Sequence, residues 1–113
     1  MGGQPAGARG YGAAMIVIAG TFNVDPANRD SFAEAAKAVM AETVKEEGCH
    51  TYVFSLDIVD PGVVHILEKW ESEDNLKPHL RTDHIKTFGR AMKELNVSGT
   101  KITIYDVASE KQM

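Results

Sequence analysis

Hydrophobic and polar positions change period several times along this chain. Residues 15–24, rich in Ile, Val, Thr and Phe, predict a first strand. Asp25-Pro26 then predicts a helix start, with Asp as N-cap and Pro in the first helical position. Ser31-x-x-Glu34 is a rival capping box. The helix is expected to reach Glu47, with Phe32, Ala35, Val39 and Met40 on one face, Thr43 continuing it and Gly48 stopping it. Over residues 49–58 the period drops to two. His50, Tyr52, Phe54, Leu56 and Ile58 point one way; Cys49, Thr51, Val53, Ser55 and Asp57 point the other. Asp60-Pro61-Gly62 suits a type II turn, so residues 63–70 return as the second strand of a hairpin. Ser72 caps the next helix and Thr82 caps its continuation, which turns Ile85, Phe88, Met92 and Leu95 inward. Residues 96–99 break it, and residues 100–107 form a last strand with Ile102 and Ile104 on one face.

The resulting order, βαββαβ, is the ferredoxin-like α+β arrangement, with helices over one face of an antiparallel sheet. The other sheet face stays bare in a single chain, and an exposed apolar sheet face predicts an interface. A length of 113 residues allows one domain with a modest core. That domain is placed at 15–107. Residues 1–14, MGGQPAGARGYGAA, read as a flexible glycine-rich tail with Met15 as an alternative start, and residues 108–113 as a short C-terminal tail.

Charge and cysteine content narrow the partners. The net charge is −4 and no basic run appears, which argues against nucleic acid. The single Cys49 excludes an internal disulfide framework and cysteine-rich zinc sites. Glu46 and Glu47 beside it disfavour a thiolate. No apolar run approaches a membrane-spanning length, and a cytoplasmic protein follows by default. His50 and His65, on opposite hairpin strands near Cys49, form no recognised ligand spacing, so no metal site is predicted there.

Chemistry is best sought in residues 67–88, LEKWESEDNLKPHLRTDHIKTF. His79 shares helical spacing with Leu76 and Leu80 and should face inward. A buried ring of this kind is either a structural histidine bonded to a backbone carbonyl or a functional group. His84 opens the second helical stretch, where it could also lie at the surface. Tyr52 has a hydroxyl tip on an aromatic body. Asn23 and Thr21 share one face of the first strand. Trp70 and Phe88 suit a core or a cavity wall.

Together with Lys45-Glu46-Glu47-Gly48-Cys49-His50-Thr51-Tyr52, this run resembles the antibiotic biosynthesis monooxygenase family, and within it the small bacterial quinol monooxygenases. The resemblance extends in order over about residues 15–107. It implies a homodimer whose two sheets meet as an α+β barrel, with residues 108–113 reaching toward the partner subunit. It also implies oxidation of a small dihydroxy-aromatic by O2, without flavin, metal or other cofactor. His79 is then the base, because a quinol becomes a better electron donor once deprotonated and a neutral imidazole can take that proton near neutral pH. Asn23, Tyr52 and His84 would supply polar contacts, and Trp70 and Phe88 apolar walls. Haem-degrading members of the family are less similar: their Asn, Trp and iron-binding His align here with Thr21, His79 and Gly89. Relatives that isomerise a phosphorylated autoinducer-type sugar share the His-x4-His pattern and are the first alternative. A non-enzymatic, small-molecule-binding stress-response dimer is the second. Pro78, directly before His79, departs from the family pattern and should bend the helix there.

Overall fold

A computed structural model describes residues 14–113, so the expectation for the glycine-rich tail lies almost wholly outside the described residues. The elements run β1 (Ile16–Asn23), a 3-10 turn (Pro26–Asn28), α1 (Arg29–Thr43), β2 (Cys49–Leu56), β3 (Val63–Trp70), α2 (Glu73–His79), α3 (Asp83–Glu94) and β4 (Ser98–Asp106). The strands form one antiparallel sheet in the order β2-β3-β1-β4. This is the ferredoxin-like fold, with the helices packed on one sheet face. Ile16, Ile18 and Phe22 of β1, Val64 and Trp70 of β3, and Phe32 and Val39 of α1 meet in the core between them.

Several boundaries differ from the sequence reading for local reasons. Asp25 does cap, its side chain accepting from the Ala27 amide at 2.9 Å, but what it starts is the 3-10 turn. The α-helix follows from Arg29, so Ser31 lies inside it and is not its cap. That helix ends at Thr43, four residues early. The Lys45 and Glu46 amides reach back only three residues, to Glu42 and Thr43, the tightened geometry that commonly closes a helix. Gly48, at φ +80°, ends the turn that follows.

The hairpin shows two further departures. Cys49 pairs with Trp70 and Thr51 with Lys69, so His50 is an extra residue in a bulge. The predicted alternation therefore fails at its first two positions: Cys49 packs against the core and His50 is exposed. At the far end β2 stops at Leu56, and Ile58 is fully exposed. Gly62 lacks the positive φ that a type II turn requires. Instead Asp57 accepts from the amides of Val59 and Asp60, and Asp60 accepts from that of Gly62, holding the loop by Asx-type bonds.

Candidate active site

Three separate chain segments converge at one end of the helical layer. The first is the turn after α1. The Gly48 carbonyl accepts from the Glu71 amide at 2.7 Å, fastening this turn to the end of β3. A Cβ on Gly48 would collide with the Asn75 side chain, so the missing side chain lets the turn seat against α2. Glu46 is thereby aimed under the helices.

The second segment is α2. Ser72 caps it, accepting from the Asn75 amide at 3.3 Å, as its position predicts. Pro78 lies in its last turn and the helix closes at His79. The His79 carbonyl then accepts from both the amide and the hydroxyl of Thr82, and Thr82 caps α3, the third segment. His79 thus sits at the corner between two helices with its ring turned inward. Leu80, predicted to share that buried face, is exposed instead because the helix has already ended.

His79 is 2% exposed, and its partner is a carboxylate rather than a backbone carbonyl. His79 Nδ1 lies 2.7 Å from Glu46 Oε2, and His84 Nε2 lies 2.6 Å from the same oxygen. An ionised carboxylate only accepts, so both contacting nitrogens carry hydrogen. In the neutral rings this leaves His79 Nε2 and His84 Nδ1 as bare lone pairs, which is the arrangement of a carboxylate-oriented imidazole base. Neither nitrogen has a hydrogen-bond partner among the described residues.

Aromatic rings enclose His79. Its centroid is 5.0 Å from that of Trp70 and 5.2 Å from that of Tyr52. Trp70 Nε1 donates to Glu68 Oε1 at 2.9 Å, satisfying an otherwise costly buried indole. Burial pushes the Glu68 carboxyl above the ordinary carboxylate range. Burial, together with the Glu68 and Glu46 charges, likewise drives the Tyr52 phenol well upward, so it remains a proton-bearing donor.

Tyr52 also joins this cluster to a cavity of about 320 Å³ between α3 and the sheet. Phe54, Phe88, Met92 and Ile102 line it, with Lys93 and Thr100 among its polar members. Phe54 and Phe88 stand 5.1 Å apart at a 38° tilt, leaving flat apolar walls suited to an aromatic ligand. A second cavity of about 210 Å³, between α1 and α3, is lined by His84, Glu42, Val39 and again Phe88.

The structure therefore brings together His79, His84, Tyr52, Trp70 and Phe88. It does not bring Asn23 to them. Asn23 is exposed on the opposite sheet face, against Gly99. His50 and His65 do not meet; each pairs with an acid, Glu71 at 2.8 Å and Asp57 at 2.9 Å. Glu46 was missed by sequence reasoning, although it lies inside the quoted Lys45–Tyr52 run. It stands 33 and 38 residues from its two histidines, a separation carrying no local periodic signal, and its aim depends on the early end of α1.

Comparison with known proteins agrees with this architecture. The family model described as antibiotic biosynthesis monooxygenase matches residues 15–91. Over 80 residues the chain is 34% identical to the probable quinol monooxygenase YgiN of Escherichia coli K12, covering 60% of this chain and 73% of that protein. The crystal structure of a conserved protein from Methanosarcina mazei Go1 superposes with a TM-score of 0.75 at 32% identity, covering 83% of this chain and 93% of that one.

Proposed function

This chain belongs to the antibiotic biosynthesis monooxygenase family, and from that premise we propose that it oxidises a quinol or related dihydroxy-aromatic with O2. The observation that carries the reading is the buried Glu46–His79–His84 cluster, joined through Tyr52 to an aromatic-walled cavity. The similarity to YgiN, itself named a probable quinol monooxygenase, supports the substrate class.

The chemistry follows from the electron count. A hydroquinone that gains one oxygen atom and becomes a hydroxyquinone loses four electrons. O2 takes those four, placing one atom in the ring and releasing the other as water, so no external reductant is needed. What the protein must supply is deprotonation, because the quinol anion gives up electrons to O2 far more readily than the neutral form. With Glu46 holding Nδ1–H, His79 Nε2 is the acceptor for that proton. Tyr52, kept protonated, donates to the oxygen where charge develops. Phe54 and Phe88 hold the ring.

A homodimer belongs to the same proposal. On the sheet face away from the helices, Val53 and Leu67 stand opposite each other in register, and Tyr105 lies in the neighbouring row. These large apolar side chains are 40–54% exposed, which a second sheet would cover. No helix among the described residues is long and apolar enough to cross a membrane.

The test is oxygen uptake with a reduced naphthoquinone, without added flavin or metal, against the uncatalysed background. Wild type is expected to accelerate uptake, and His79→Ala to lose about 10²–10⁴-fold of that acceleration. A wild-type protein no faster than background ends the quinol reading.

A further inference from the structure

We propose that Glu46, His79 and His84 form a binding site for a zinc-class divalent transition ion. One ligand atom from each residue lies within 4.8 Å of the other two. Two imidazole nitrogens and one carboxylate oxygen are the donor set that zinc and its neighbours in the transition series favour, whereas magnesium and calcium prefer oxygen alone. The three ligands come from three segments locked by separate devices: the Gly48 turn tied to Glu71, the end of α2, and the Thr82-capped start of α3.

The geometry needs little adjustment. Zinc at about 2.0–2.1 Å from each donor sets ligands roughly 3.3 Å apart in a tetrahedron. The two contacts to Glu46 Oε2 are now 2.7 and 2.6 Å, so each must widen by less than an ångström. Half-buried His84 has the freedom to move. Trp70 and Tyr52 pack around His79 as an apolar shell. The fourth coordination position is left to water or a small anion. The pairs His50–Glu71 and His65–Asp57 offer one imidazole and one carboxylate each and are more exposed, which makes them weaker competitors.

Binding would change the tautomer of both rings. The ion takes the lone pairs of His79 Nδ1 and His84 Nε2, and each neutral ring then carries its one hydrogen on its other nitrogen, no longer shared with Glu46. If the proposed oxidation is correct, there is a further consequence that rests on it. With the ion on Nδ1, a neutral His79 carries its hydrogen on Nε2, and the base is lost. Zinc would then inhibit the oxidation rather than support it.

The experiment is calorimetric titration of metal-free protein with Zn2+, with Mg2+ as the control ion. The expected result is one Zn2+ per chain, a raised melting temperature, and no heat with Mg2+. His84→Ala and Glu46→Gln, checked for native circular dichroism, should each weaken binding at least about tenfold. His50→Ala and His65→Ala should leave it unchanged. The visible spectrum of wild type with Co2+ provides a readout that needs no variant: intense bands indicate a tetrahedral site. Absence of one-equivalent binding by wild type overturns the proposal. So does binding that survives His84→Ala and is lost in His50→Ala or His65→Ala. Because the readout is metal binding, it stands or falls separately from oxygen uptake.

Discussion

Strands β3 and β4 flank the same central strand, both antiparallel to it, yet their surroundings are opposite. On β3, Val64, Ile66, Glu68 and Trp70 are all buried; on β4 every residue is exposed. The row that crosses the sheet through Glu68, Ile18 and Ile104 shows where the change falls. Their exposures are 7%, 6% and 55%. Ile18 and Ile104 are the same residue type on the same sheet face, one strand apart. What separates them is the reach of the helices, which cover β2, β3 and β1 and leave the Ile104 end of β4 beyond their edge. Alternation along a strand therefore assigns a face, but packing decides whether that face is dry. The candidate site lies at the covered end, where a carboxylate and two imidazoles can be held out of water.

The sharpest way to break this contrast is to empty one position on each strand. Trp70 fills the space under His79, so Trp70→Ala should cost about 3–5 kcal/mol in urea unfolding. Ile104→Ala, at protein concentrations where only monomer is present, should cost less than about 0.5 kcal/mol. Equal losses would mean that β4 is covered after all. A smaller effect is expected on the other face of β3. Leu67→Asp places a charge in the apolar row facing away from the helices. It should raise the dimer dissociation constant by about two orders of magnitude while leaving the monomer folded. Sedimentation of wild type as a monomer at all concentrations would remove the proposed assembly.

The same contrast explains what could be read from the sequence. Element order, caps at Ser72 and Thr82, and the inward set on α3 follow from local chemistry, and the structure repeats them. The face assignment of Tyr52, Phe54 and Leu56 also held, because a strand has only two faces. It failed at Cys49 and His50, where a bulge adds a residue that no periodic rule announces. The inward placement of His79 was legible from its spacing to Leu76, but its partner was not. Joining Glu46 to His79 requires knowing where α1 ends and how its turn lies on α2. Asn23 shows the converse limit: a polar residue at a strand end looks available, and only the sheet register reveals that it points away from the cluster.

The subtlest test concerns the one acid facing the core of β3. Glu68 is buried, and its carboxyl is raised chiefly by burial, with the Trp70 hydrogen bond and His79 opposing and Glu46 adding to the rise. Below the ordinary carboxylate range the group is neutral both folded and unfolded, and it imposes no electrostatic cost. As pH rises the unfolded chain ionises first, while the folded protein still holds its proton or carries a poorly solvated charge. Stability is therefore lost as pH climbs through the folded value. Glu68→Gln removes the charge and keeps a carbonyl that can accept from Trp70 Nε1. The variant should match wild type at acidic pH and become more stable, on the order of 1 kcal/mol, as pH rises toward neutrality. Melting curves from pH 4 to 8 would show the two diverging. A constant offset across that range, or a wild-type advantage at neutral pH, would mean that the Glu68 charge is used rather than tolerated.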